Sequence, residues 1–259
     1  MLNKLLKYDL KYMIKNMSVF YILSIFFSIT TRILFSLKET VIVNIIGQIS
    51  VGCLFAMIIN ILINTMMRSW FRFNDSIYKD ESYLTHTLPV SKNNIYNSKF
   101  IQTLIFLIVG FIIILLSLFI TYYTKENWLK LKQLVNTITT GLEFNTTLFV
   151  ICFIAIIFLE VFNAIQCGFL GIILGNRKNN GKTGFSVLFG FISYLLSQSM
   201  VLLLVFLIGI FNSDIMNLFT NNIILNTNSL KLLIVLAIII YLIIILIMNI
   251  ICKKYLIKV

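Results

Sequence analysis

Apolar positions in this chain neither alternate nor form narrow stripes; they run on without a break. Six stretches, residues 17–37, 41–66, 100–123, 146–174, 185–212 and 231–252, are dominated by Ile, Leu, Phe and Val. A helix rising 1.5 Å per residue needs about 20 such residues to cross a hydrocarbon core about 30 Å thick. The pattern predicts an all-α integral membrane protein with six transmembrane helices in a single domain over residues 1–259. Ahead of the first stretch the period changes. In LNKLLKYDLKYMIK, residues 2–15, Leu2, Leu5, Leu6, Leu10 and Met13 share one side of a helix, while Lys4, Lys7, Lys11 and Lys15 favour the other. This predicts an amphipathic elbow helix over residues 1–16, lying in the headgroup plane and leading into span one. The first apolar run exceeds a signal-peptide core and no clean small-residue cleavage site follows it, so it is expected to be retained.

Composition supports the membrane class. The chain is 59% hydrophobic and 12% charged, against about 45–50% and 25% in soluble domains. The net charge of +12 would suit nucleic acid, but its distribution argues for topology instead. Lys and Arg number four before span one, five in residues 67–99, three in residues 175–184 and three in the tail; the other connections share six. Basic residues concentrate on the cytoplasmic side, so both termini and the connections after spans two and four are expected there. The bilayer is the expected partner, not nucleic acid. Abundant Ile, Asn and Lys suggest an AT-rich bacterial genome, hence a bacterial plasma membrane. Cys53, Cys152, Cys167 and Cys252 sit within or at the ends of spans and read as small hydrophobes, with neither disulfide nor metal implied.

One segment imitates a nucleotide site. GNRKNNGKTG, Gly175 to Gly184, ends in Gly-Lys-Thr, but Gly175 and Gly181 enclose five residues where the phosphate-binding loop has four. A transmembrane run precedes it, not a strand of a soluble sheet. It reads as a short cytoplasmic connection.

The connection at residues 67–99 carries more information. Trp70, Phe71 and Phe73 alternate with Arg68 and Arg72, an interfacial belt of rings and basic groups. Asp75 or Ser76 can cap a following short helix whose positive end Asp80 and Glu81 favour, and Ile77, Tyr78, Glu81, Leu84 and Leu88 keep a three-and-four spacing through it. Pro89, the only proline, stops that helix. Ser91 can cap a second one running through Ile95 and Lys99 into span three. The result is a helix, a corner and a helix: a rigid knuckle.

Within this knuckle SYLTHTLPVSKNNIYNSK, Ser82 to Lys99, resembles the cytoplasmic loop of bacterial ABC transporter permeases of the type-2 exporter class. The elbow, six spans and long loop between spans two and three resemble that family's layout. The resemblance implies a coupling segment, here Tyr83, Leu84, Thr85, His86, Thr87, Leu88, Pro89, Val90, Ser91 and Lys92, docking on a separate ABC ATPase subunit. It implies a second permease copy, identical or related, and no cofactor on this chain, with ATP and magnesium held by the partner. It also implies export of, or immunity to, antimicrobial peptides or antibiotics. One departure is the Asn212–Ser229 connection, polar and short for the re-entrant helices of that family.

Polar residues inside spans complete the candidates. Glu160 lies near the middle of span four, where a carboxylate costs roughly 3 kcal/mol. Steps of three and four from it reach Ala164, Cys167, Gly171 and Gly175, a small-residue stripe that lets helices approach closely, with Asn163 and Gln166 adjoining. Glu160, Asn163 and Gln166 form a substrate path or gate, or else a structural bond within the bundle. Arg32 matches Glu160 in depth and is its candidate counter-ion, or it snorkels to the outer interface. Asn44, Gln48, Asn60 and Asn64 in span two are expected to make interhelical hydrogen bonds.

Two other classes compete with the permease. An ion-coupled transporter working alone commonly uses spans broken by Gly or Pro and several buried charges, whereas Pro is absent from all six spans. An intramembrane enzyme needs convergent ligands or a nucleophile with its base, yet the sole histidine, His86, lies in the loop. The expectation is a transport subunit without catalytic residues of its own.

Overall fold

The computed structural model describes residues 2–37, 40–79, 81–87, 89–141, 145–211, 213–216 and 227–257. Among them the structure is helical throughout: α1 (Leu2–Ser36), α2 (Val41–Tyr78), α3 (Ser82–Thr87), α4 (Lys92–Tyr122), α5 (Lys125–Gly141), α6 (Thr146–Gly175), α7 (Lys182–Phe211), α8 (Ser213–Met216) and α9 (Thr227–Ile257). Six of these, α1, α2, α4, α6, α7 and α9, are long and apolar enough to cross a bilayer. The protein is an all-α, multi-pass membrane protein. Its chain clusters into two compact units, residues 1–129 and 130–259.

In the first unit the predicted elbow and span one are one 35-residue helix. No Gly or Pro occurs before Gly47, so nothing in the sequence breaks the hydrogen-bond ladder between them. At about 52 Å this helix overreaches the hydrocarbon core. Span two overreaches as well, continuing to Tyr78. Much of the expected loop is therefore helix: Asp75 and Ser76 lie inside α2 as part of its last turns, where Asp75 pairs with Lys79 at 3.2 Å, and cap nothing. Phe73 is buried edge-on against Tyr96, with ring centroids 6.2 Å apart, so it packs between helices while Phe71 stays exposed. Ser91 does cap α4, accepting from the Asn94 N–H. Small hydroxyls let α1 approach its neighbours: Thr31 and Ser50 hydroxyls lie 2.7 Å apart, and Ser24 and Ser117 3.4 Å apart. Of the polar stripe of α2, Asn44 and Gln48 are exposed, while the half-buried Asn60 and Asn64 donate to the Ala56 and Asn60 carbonyls of their own helix.

In the second unit α6 packs on α7 and α9. The small-residue stripe is its seam with α7. A Cβ placed on Gly171 would collide with the Gly190 backbone, and one on Gly175 with the Ser186 backbone. Gly175 closes α6, Gly181 turns the chain with φ +67°, and Lys182 opens α7. Helix therefore precedes the Gly-Lys-Thr triplet, as its apolar run requires. Span six begins at Thr227. Of the Asn212–Ser229 connection, Asn212 and residues 217–226 lie outside the described residues. Between spans three and four stands α5, 17 residues long, in a connection for which the apolar runs predict no element.

Because the atoms facing Gly171 are backbone, they cannot turn away from a new methyl group. Gly171→Ala is expected to destabilise the second unit by about 1–3 kcal/mol, while Gly52→Ala, with nothing within 4 Å of its Cβ, stays neutral. Thermal melts of both purified variants in detergent compare them directly.

Candidate functional site

Asp9 sits at i+4 from Leu5 and i−4 from Met13, on the apolar side of the first turns of α1. Folding carries it inward, to 2% exposure. A buried carboxylate needs opposite charge and donors, and two helix ends deliver them. From α2, Arg72 Nε donates to Asp9 Oδ1 at 3.0 Å. From α4, Lys99 Nζ reaches the same oxygen at 2.5 Å and Ser98 Oγ donates to Oδ2 at 2.9 Å. Lys99 is itself buried. Arg72 then reaches onward: its guanidinium lies 4.8 Å from the Tyr12 ring centre and Nη1 donates to Glu81 Oε2 at 2.5 Å. Two carboxylates thus balance two cations. A cavity of about 50 Å³ opens among Tyr8, Asp9, Arg72, Ser76, Ser98 and Lys99, enough for an ordered water.

The expected coupling segment stands on this knot. Glu81 is the residue just before α3, so Arg72 ties the short helix to α1 through Asp9. The amide of Thr85 and its hydroxyl both donate to the Glu81 carbonyl. Tyr83 and Leu84 project outward, 76% and 66% exposed. The Thr87 hydroxyl closes onto the Leu84 carbonyl at 3.0 Å. Pro89 is exposed, Val90 half-buried, Ser91 caps α4 and Lys92 opens it. His86 belongs to α3; Leu88 and Asp80 lie outside the described residues. Glu81, assigned by sequence to a helix dipole, instead neutralises Arg72.

A second polar cluster occupies the α6–α7–α9 interface. Glu160 Oε1 accepts from the Tyr194 hydroxyl at 2.6 Å and from Gln198 Nε2 at 2.7 Å, and the Tyr241 hydroxyl donates to Gln198 Oε1 at 3.3 Å. Glu160 Oε2 is buried without a hydrogen-bond partner among the described residues. One turn on, Asn163 Nδ2 donates to Ser197 Oγ at 2.9 Å. Gln166 is fully buried, and neither end of its amide has a partner among the described residues. The proposed counter-ion has its own arrangement, since the Arg32 guanidinium donates to the Tyr123 carbonyl. Arg32 and Glu160 thus each find hydrogen-bond partners inside their own unit.

Asp9, Lys99, Tyr194, Gln198 and Tyr241 were not among the candidates from sequence. Asp9 had a legible signal: it is the only acid before Glu39 and falls in register with Leu5 and Met13. The partners of Glu160 had none, because Tyr and Gln in a span announce no particular neighbour. Among the described residues no group of three His, Cys, Asp or Glu is placed to hold a metal ion. No family model, curated protein or solved structure matches the chain.

Removing Asp9 leaves a buried ammonium and a guanidinium uncompensated. Asp9→Ala is expected to cost about 3–5 kcal/mol, whereas Glu81→Gln, at a half-exposed site, costs under about 1 kcal/mol. Asp9→Leu combined with Lys99→Met should recover part of the loss. Chemical unfolding of the detergent-solubilised variants, followed by helicity, checks the order.

Proposed function

We propose that the chain is the membrane-spanning permease subunit of an ATP-driven bacterial exporter of the type-2 ABC class, in the plasma membrane. The observation that carries this reading is the anchoring of α3. A six-residue helix bearing two exposed apolar side chains, Tyr83 and Leu84, is bound through Glu81 and Arg72 to the carboxylate that joins α1, α2 and α4. A push on α3 therefore reaches the ends of three long helices without crossing a flexible linker. The resemblance of Ser82 to Lys99 to the coupling loops of that class points the same way.

The chain works as a transport subunit with no active site of its own. A separate ATPase pair binds ATP and magnesium, closes, and displaces α3; the Asp9 knot passes the displacement to α1, α2 and α4. A second permease copy completes the path. The exposed Asn44 and Gln48 of α2 support that copy, because amides turned away from their own bundle are poorly placed against lipid. The cargo class, antimicrobial peptides or antibiotics, follows from the resemblance alone.

A second reading, an ion-coupled carrier without ATPase, draws on Glu160. Its half-satisfied carboxylate between Tyr194 and Gln198 is the kind of intramembrane group that binds a proton or cation.

Burying one leucine is worth about 1.5–3 kcal/mol, roughly a 10- to 100-fold change in affinity. Leu84→Asp is expected to reduce co-purification of an ATPase encoded beside the gene by at least that factor, with membrane insertion unchanged. Undiminished capture of the ATPase by this variant would overturn the docking role. Transport by the purified chain alone, driven by an ion gradient and lost in Glu160→Gln, would favour the carrier.

A further inference from the structure

The helix α5 is the element that no feature of the exporter reading uses. Only two residues separate it from the end of the spanning helix α4, at the opposite end of α4 from α3. Covalent continuity thus holds its first turn close to the bilayer face. Thr124 caps it, its hydroxyl accepting from the Asn127 N–H at 3.1 Å, and Glu126 sits in the first turn, where a negative charge is favourable. The junction is aromatic: Phe119 stacks on Tyr123 with centroids 4.4 Å apart, and Trp128 lies 6.2 Å from Tyr123. Tyr and Trp concentrate at that depth of a membrane because one end of each ring is apolar and the other is polar.

Around the axis of α5 the residues sort by chemistry. At 100° per residue, Leu134, Leu131, Val135 and Trp128 fall within an arc of about 120°. Lys130 precedes Leu134 by four positions and Lys132 follows Trp128 by four, so each lysine stands about 40° outside one edge of that arc. Leu129 falls on the polar side, and Asn127 falls within the arc at the first turn, where its side-chain amide donates back to the Tyr122 carbonyl at 3.3 Å. Trp128, Leu131 and Leu134 are 52%, 53% and 68% exposed, and both lysines are exposed. An apolar arc with a cation on each flank suits an anionic bilayer surface: the arc enters the headgroup and acyl boundary while the lysines extend along it to phosphate oxygens.

We propose that α5 is an interfacial helix that binds an anionic lipid surface through Trp128, Leu131, Val135 and Leu134, with Lys130 and Lys132 contacting the headgroups. The occupant is the bilayer, because the helix leaves a spanning helix directly at the aromatic junction and its flanking charges complement lipid phosphate. This surface holds whether or not an ATPase drives the chain.

The full chain carrying Trp70→Phe keeps Trp128 as its one tryptophan. Reconstituted at one copy per nanodisc, it reports depth through quenching by lipids brominated at a shallow or a deep acyl position, and water contact through acrylamide. With phosphatidylglycerol present, shallow bromines should quench Trp128 several-fold more than deep ones, and acrylamide should quench it weakly. Replacing both lysines by Gln should reduce the difference between phosphatidylglycerol and pure phosphatidylcholine discs, roughly fivefold in surface partitioning per lysine. Leu131→Asp with Leu134→Asp should exchange lipid quenching for acrylamide quenching. Strong acrylamide quenching in the parent protein would overturn the proposal, as would protection from both quenchers, which would mean that protein covers the face. Should the double Asp variant fail to insert, the parent and the lysine variants still decide the matter.

Discussion

One carboxylate in a place that ought to exclude it organises the first unit. Asp9 lies on the buried side of α1, and the helix can keep it there only because α2 and α4 bring cations to the same point. A lone ion transferred to low dielectric costs several kcal/mol, and a lost partner leaves that cost unopposed. The ends of three helices are consequently fixed by charge balance and hydrogen-bond direction, which set a geometry, where apolar packing alone leaves helices free to slide. Arg72 extends the constraint by one residue to Glu81, and so to α3.

The second unit is held by a different means. Lipid offers no hydrophobic drive for helices to associate, so α6 and α7 gain from contact at close range. Gly171 and Gly175 permit it by presenting backbone to backbone. That proximity brings Tyr194 and Gln198 of α7 onto Glu160 of α6, so that a packing feature and a chemical feature share one stripe. One carboxylate oxygen of Glu160 accepts two hydrogen bonds, and the other has no partner among the described residues.

These two arrangements set different roles for the ends and the middles of the helices. The first joins α1, α2 and α4 near their ends. The second lies near the middle of a spanning helix, Thr146–Gly175. Within the first unit α1 and α2 are longer than the bilayer is thick, so each carries the Asp9 cluster on the same continuous rod as its apolar span.

The sequence by itself determined the class and the count of spans. Twenty apolar residues in a row have one low-cost conformation in lipid, and that local rule needs no knowledge of neighbours. It also placed the Ser91 cap and the small-residue stripe, both of which are set within a few turns of one helix. It misjudged where helices stop, setting a boundary near residue 16 inside the continuous α1 and ending α2 three turns early, because a change from apolar to amphipathic pattern changes the environment of a helix without interrupting its hydrogen bonds. Amphipathic α5 escaped for the same reason: its mixed composition resembles a loop until the angular sorting is counted. Only the tertiary structure decided which charges meet. Asp9 and Lys99 are 90 positions apart, and Glu160 and Gln198 are 38 apart. Their pairing depends on the crossing and rotation of whole helices, which no single helix encodes.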